Sequence, residues 1–124
     1  MDREQLARKY HKSGCNCAQA VYGAFADLAD REPEKAMEEA RFWGGGAKVK
    51  CGAVYAAEQI INQYAGEQKK QITDEFEKAF IRENGDLECR KLLASGNKYR
   101  KTCNDYVGDA SSMLVQVLSD NGLL

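Results

Sequence analysis

The stretch Gly44–Ala65, GGGAKVKCGAVYAAEQIINQYA, decides how the chain is read. From Cys51 onward the apolar residues Val54, Ala57, Ile60, Ile61 and Tyr64 recur at three- and four-residue intervals, which marks one face of a helix rather than an alternating strand. Gly66 supplies its stop. Ahead of it, Gly44-Gly45-Gly46 is the strongest break in the chain, because glycine admits backbone conformations that side chains forbid. A cysteine therefore stands where a glycine loop turns into a helix.

The same period continues on both sides. Leu6, Tyr10 and His11 mark a short first helix that Ser13-Gly14 ends. Ala18, Val21, Tyr22, Phe25 and Leu28 form a stripe running to about Asp30, and a third helix is expected from Pro33 to Phe42. Ile72, Phe76, Ala79 and Phe80 mark another. Asn84-Gly85-Asp86 has the composition of a hairpin turn, but its flanks keep helical spacing, so it reads as a corner between helices with Asp86 as an N-cap. A short helix with Cys89, Leu92 and Leu93 follows, broken by Ser95-Gly96-Asn97. The last helix is predicted from about Thr102 to Ser119, with Val107, Leu114, Val115 and Leu118 inward and Asn121-Gly122 closing it. No repeat, linker or strand stands out. The expectation is an all-α, compact bundle of about six or seven short helices, one domain over residues 1–124.

A chain of 124 residues fits one core, and 44% hydrophobic with 30% charged residues argues against disorder. Eighteen basic against nineteen acidic residues leave a net charge of -1, which offers no field to gather nucleic acid or anionic lipid. No apolar run approaches the roughly 20 residues of a membrane span. Met1-Asp2-Arg3-Glu4-Gln5 opens without an apolar targeting segment, so a cytoplasmic protein is expected. Folding alone and folding as a homodimer both stay open.

Five cysteines, Cys15, Cys17, Cys51, Cys89 and Cys103, are an odd number in a chain without signs of export, which disfavours a disulfide framework. Metal binding, redox chemistry and plain burial remain. Cys17, Cys51, Cys89 and Cys103 each fall near a predicted helix start, where partial positive charge and unpaired amides hold a thiol nearer its thiolate. All four are therefore expected to be activated. There is no C-x-x-C. Cys15-Asn16-Cys17, with His11 four residues upstream, is a candidate composite metal site without a recognised geometry. Against these stands burial, because free cysteine is often a small apolar filler.

Gly14-Cys15-Asn16-Cys17-Ala18-Gln19-Ala20-Val21, the glycine run leading to Cys51-Gly52-Ala53, Cys89-Arg90-Lys91-Leu92-Leu93 and Cys103-Asn104-Asp105-Tyr106-Val107 together resemble a family of small bacterial and archaeal redox-active proteins named for a C-GCAxxG-C-C pattern. The resemblance implies an all-helical fold, a redox or metal-linked role, and Cys17, Cys51, Cys89 and Cys103 as the characteristic cysteines. The chain departs from the pattern at Ala56, where the family has a glycine, and at Cys15, where an aromatic residue is expected. The family is also distantly similar to split-Soret haem proteins. Covalent haem is excluded, because C-x-x-C-H is absent and His11 is the only histidine.

Gly44, Gly45, Gly46 and Gly52 are candidates for bringing backbone amides close to a cysteine-bound group. Lys48 and Lys50 do not make the loop a phosphate loop, since no strand precedes it and no Ser or Thr follows the lysine. Trp43 reads as a core anchor or a pocket wall. Acid–base hydrolysis finds little support with one histidine. Three functions stay open: thiol redox chemistry with an unknown redox partner; an iron–sulfur cluster or zinc held by Cys17, Cys51, Cys89 and Cys103; and a non-catalytic helical module with buried cysteines.

Overall fold

Asp2, Asn16 and Thr102 each begin a helix by a reciprocal cap, accepting from the amide three residues on while the side chain of that residue accepts from theirs. The computed structural model describes residues 1–94 and 101–124 and shows seven α-helices and no strand among them. These are α1 (Arg3–Lys12), α2 (Cys17–Ala24), α3 (Pro33–Glu39), α4 (Gly52–Tyr64), α5 (Lys69–Asn84), α6 (Cys89–Leu92) and α7 (Cys103–Asp120). The all-α expectation is met. The predicted break at Ser95-Gly96-Asn97 lies outside the described residues.

Helix α2 is the centre, packed against α1, α3, α4 and α7. Of its eight residues only Gln19 is not buried, so burial rather than a polar face holds it in place. Helix α4 lies against α2, α5 and α7 and buries Ala53, Val54, Ala56, Ala57, Ile60 and Ile61. Phe80 of α5 meets Tyr106 of α7 across the core, with Phe76 packed beside it on α5. Val117, rather than Val115, takes the inward position near the end of α7.

Two predicted helices end early because side chains from elsewhere take their carbonyls. The second stops at Ala24, not Asp30: Arg3 donates to the Ala24 carbonyl at 2.9 Å and pairs with Asp27, and the chain tightens into a 3₁₀ turn over Ala26–Ala29. The third stops at Glu39, not Phe42. Gln19 and Asn16 of the α2 cap donate to the carbonyls of Met37 and Arg41 at 3.0 and 2.9 Å. Asp86 is not the N-cap of α6; its carboxylate accepts the amides of Leu87 and Glu88 in the turn before, and Glu88 is the cap residue.

Lys50 and Glu88 pair as a single antiparallel bridge, with the Cys51 amide donating to Leu87 at 2.7 Å and the Cys89 amide to Val49 at 3.0 Å. That bridge fixes two cysteines relative to each other. Its anchor is the Lys50 ammonium, 2.8 Å from both Glu58 of α4 and Glu77 of α5. Glu58 is buried, and among the described residues its Oε2 has no hydrogen-bond partner. Burial, with the neighbouring Glu77 carboxylate, raises Glu58 from 4.5 to about 7, so near neutrality it carries a proton for much of the time.

A carboxyl whose pKa is raised by folding favours the folded state at low pH and loses that contribution as pH climbs through the folded value. Wild-type stability is therefore expected to fall between pH 4.5 and about 7 on account of Glu58. Glu58→Gln should remove this slope, read as the difference in thermal unfolding midpoint between the two proteins across that range.

Candidate redox site

Each of the four candidate cysteines sits at a helix start. Cys17, Cys89 and Cys103 are the first residues of α2, α6 and α7, and Cys51 is the residue capping α4. Together with Leu92, Leu93 and Tyr106 they line one cavity of about 10 Å³, at the lower limit of the space one water needs. A far larger concavity, about 1020 Å³, opens beside α1 and the Ala26–Asp30 turn, but no cysteine reaches it. The four cysteines are at the small one.

The cysteines form two tiers. Cys17 and Cys51 are 8% and 5% exposed, whereas Cys89 and Cys103 are half-buried on the outer side. The Cys17 sulfur is held near the thiolate, at a pKa of about 6, by the Cys51 thiol donating to it and by the amides of Gly45, Ala18 and Ala53, which together outweigh burial. Gly45 has φ +64°, a left-handed conformation that suits glycine and turns its amide onto the sulfur.

The expectation that all four thiols are activated is corrected. Cys51 is pushed well above the ordinary thiol range, because it donates to Cys17, is buried, and would place a second charge beside the first. Burial and the Cys17 charge raise Cys89, and the same two causes with Cys89 raise Cys103. The single turn of α6 offers little dipole in compensation. Burial leads for the outer two thiols, and the Cys17 charge adds to it.

The glycines fit closely around the sulfurs. A β-carbon on Gly52 would lie 2.5 Å from Cys17 Sγ, 3.0 Å from Gly44 Cα and 3.2 Å from the Ala18 nitrogen. One on Gly44 would strike Asn16 at 2.7 Å, and one on Gly46 would reach Cys89 Sγ at 3.8 Å. The loop thus approaches the thiols themselves. Trp43, just before it, packs edge-on between Tyr22 and Tyr55 at 4.8 and 5.3 Å, as a core anchor.

Other candidates are not drawn in. Cys15 faces Met37, with the sulfurs 3.8 Å apart, and His11 meets Asn104 at 3.1 Å, so His11, Cys15 and Cys17 do not converge. Among the described residues no group of three His, Cys, Asp or Glu side chains is placed to hold a metal ion. Cys17, Cys51, Cys89 and Cys103, the alternative set of zinc or iron–sulfur ligands, share one cavity without forming such a group among the described residues. Sequence reasoning missed the Lys50–Glu58–Glu77 cluster, for which no local signal exists. It also missed the reciprocal cap of Asn16 and Gln19, which the N-x-x-Q spacing does carry.

A family model described as "Putative redox-active protein (C_GCAxxG_C_C)" matches residues 15–117. The chain belongs to that family. No curated protein and no solved structure matches the chain. Within the C_GCAxxG_C_C pattern, Ala56 stands where a glycine is expected; it is fully buried in α4, so a methyl group is accommodated there.

Because Gly52 leaves no room for a side chain beneath Cys17, Gly52→Ala is expected to destabilise the reduced protein by about 1–3 kcal/mol. It should also move Cys17 back from about 6 toward its ordinary 9. Thermal unfolding and ultraviolet titration of the thiolate measure the two effects.

Proposed function

We propose that this protein carries out thiol–disulfide exchange, with Cys17 and Cys51 as an inner redox pair and Cys89 and Cys103 as the outer pair that meets the redox partner. The observation that carries this reading is that Cys17 and Cys51 are buried together at the starts of α2 and α4, with two further cysteines on the same cavity. Stabilising one thiolate of a pair stabilises its reduced form, so the inner disulfide is the stronger oxidant of the two. Electrons pass favourably from the outer pair to the inner one.

In that direction Cys89, having released its proton to solvent, attacks Cys51 Sγ of the inner disulfide. The Cys17–Cys51 bond breaks and Cys17 leaves as a thiolate, which its low pKa favours. Cys103 then attacks Cys89 Sγ, the Cys51–Cys89 bond breaks, and Cys51 takes up the proton that Cys103 gives up. The inner pair has gained two electrons and the outer pair has become a disulfide. A partner dithiol reduces that disulfide and is itself oxidised, so one passage moves two electrons from the partner to the inner pair, and a disulfide oxidant that takes up those two electrons restores the Cys17–Cys51 bond for the next.

Limited oxidation of the reduced protein should consume thiols two at a time, first as Cys89–Cys103 and then as Cys17–Cys51, as mapped by peptide mass spectrometry under acid quench. Cys17→Ser should stop the process after the first pair. Random pairing that includes Cys15, or no paired loss of thiols, would count against the relay.

A further inference from the structure

We propose that the outer pair is served by a low-molecular-weight thiol or disulfide bearing carboxylates, which approaches Cys89 rather than Cys103; this rests on the exchange reading above. The charges around the two outer sulfurs differ. Beside Cys103, Lys101 is paired with Asp109 and Glu83 at 2.8 and 3.2 Å, and Asp105 is held by Thr102 and faces Arg8. Beside Cys89, Lys91 is engaged with Glu88 and Asp86 at 2.8 and 3.9 Å, but Arg90 and Lys48 make no ion pair among the described residues. Lys48 only lies over the Tyr55 ring, 5.7 Å from its centroid. Among the described residues, positive charge without an ion pair is thus left over on the Cys89 side.

The shape there suits a slim ligand. The Cys89 amide is tied to the Val49 carbonyl, which brings the Lys48-Val49 segment alongside the sulfur. Gly46 lies against Cys89 and leaves it uncovered on that side, since a methyl there would be in contact with Sγ at 3.8 Å. Leu93, 46% exposed, lines the cavity beside Cys89, and Val49, 60% exposed, presents apolar surface on the segment tied to the Cys89 amide. A half-buried sulfur between such walls is reached by an extended small molecule more readily than by a broad protein face. Its carboxylates would meet Lys48 and Arg90, and its methylene groups would meet Val49 and Leu93.

The test uses the full chain, reduced, with three disulfides: oxidised glutathione as the anionic probe, bis(2-hydroxyethyl) disulfide as the neutral one, and cystamine as the cationic one. Each rate of thiol loss is divided by the rate of the same reagent with a neutral cysteine amide. The anionic probe is expected to be favoured over the cationic one by about tenfold at low salt. That preference should shrink with added salt and reverse in Lys48→Glu/Arg90→Glu, while Lys48→Gln/Arg90→Gln falls between; circular dichroism checks that both variants fold. The mixed disulfide trapped early should be on Cys89. Charge-independent relative rates with normal disulfide formation, or trapping on Cys103, would overturn this inference and leave the relay standing. Failure of all three reagents to oxidise the protein would overturn both.

Discussion

Cys17 Sγ occupies the space that a side chain on residue 52 would need, and much of the molecule is arranged around that contact. It brings the start of α2 onto the start of α4, so two helix N-termini meet with one sulfur between them. Only a glycine at position 52 permits the approach, and only the glycine loop lets the Gly45 amide close over the sulfur. A buried anion is otherwise strongly disfavoured. Here the charge is met by three amides and a thiol, and the chain pays no ion pair for it.

The second cysteine of the inner pair is held by a different device. Cys51 and Cys89 are tied through the bridge between Lys50 and Glu88, and the Lys50 ammonium pins that bridge to α4 and α5. Two distant segments are thereby fixed beside the cavity without a strand on either side. The electrostatic state of the Glu58–Glu77 pair and the position of two thiols are physically linked through one lysine.

The helices were legible because burial follows a helical period in this chain: Val54, Ala57, Ile60 and Ile61 are all in the core. The helix-start positions of Cys17, Cys51, Cys89 and Cys103 were legible because glycine breaks and capping residues precede them locally. What local reading could not reach was set through space. Arg3 ends a helix whose last residue is 21 positions away, and Asn16 reaches 25 positions to Arg41 in the turn after α3. The distribution of charge among the thiols is of the same kind. Four similar helix starts suggest four similar thiols, but around one cavity burial raises Cys89 and Cys103, with the Cys17 charge adding to it, and the contact with Cys17 raises Cys51.

Trp43 is the only tryptophan in the chain, and it stands one residue before the glycine run with Tyr22 of α2 and Tyr55 of α4 on either side. Its emission therefore originates at one place, between the two helices whose N-termini enclose Cys17. Light absorbed by the flanking tyrosines is passed to it over a few ångströms. The fold consequently contains its own optical gauge, in which any shift of the loop over the sulfurs alters the surroundings of a single fluorophore.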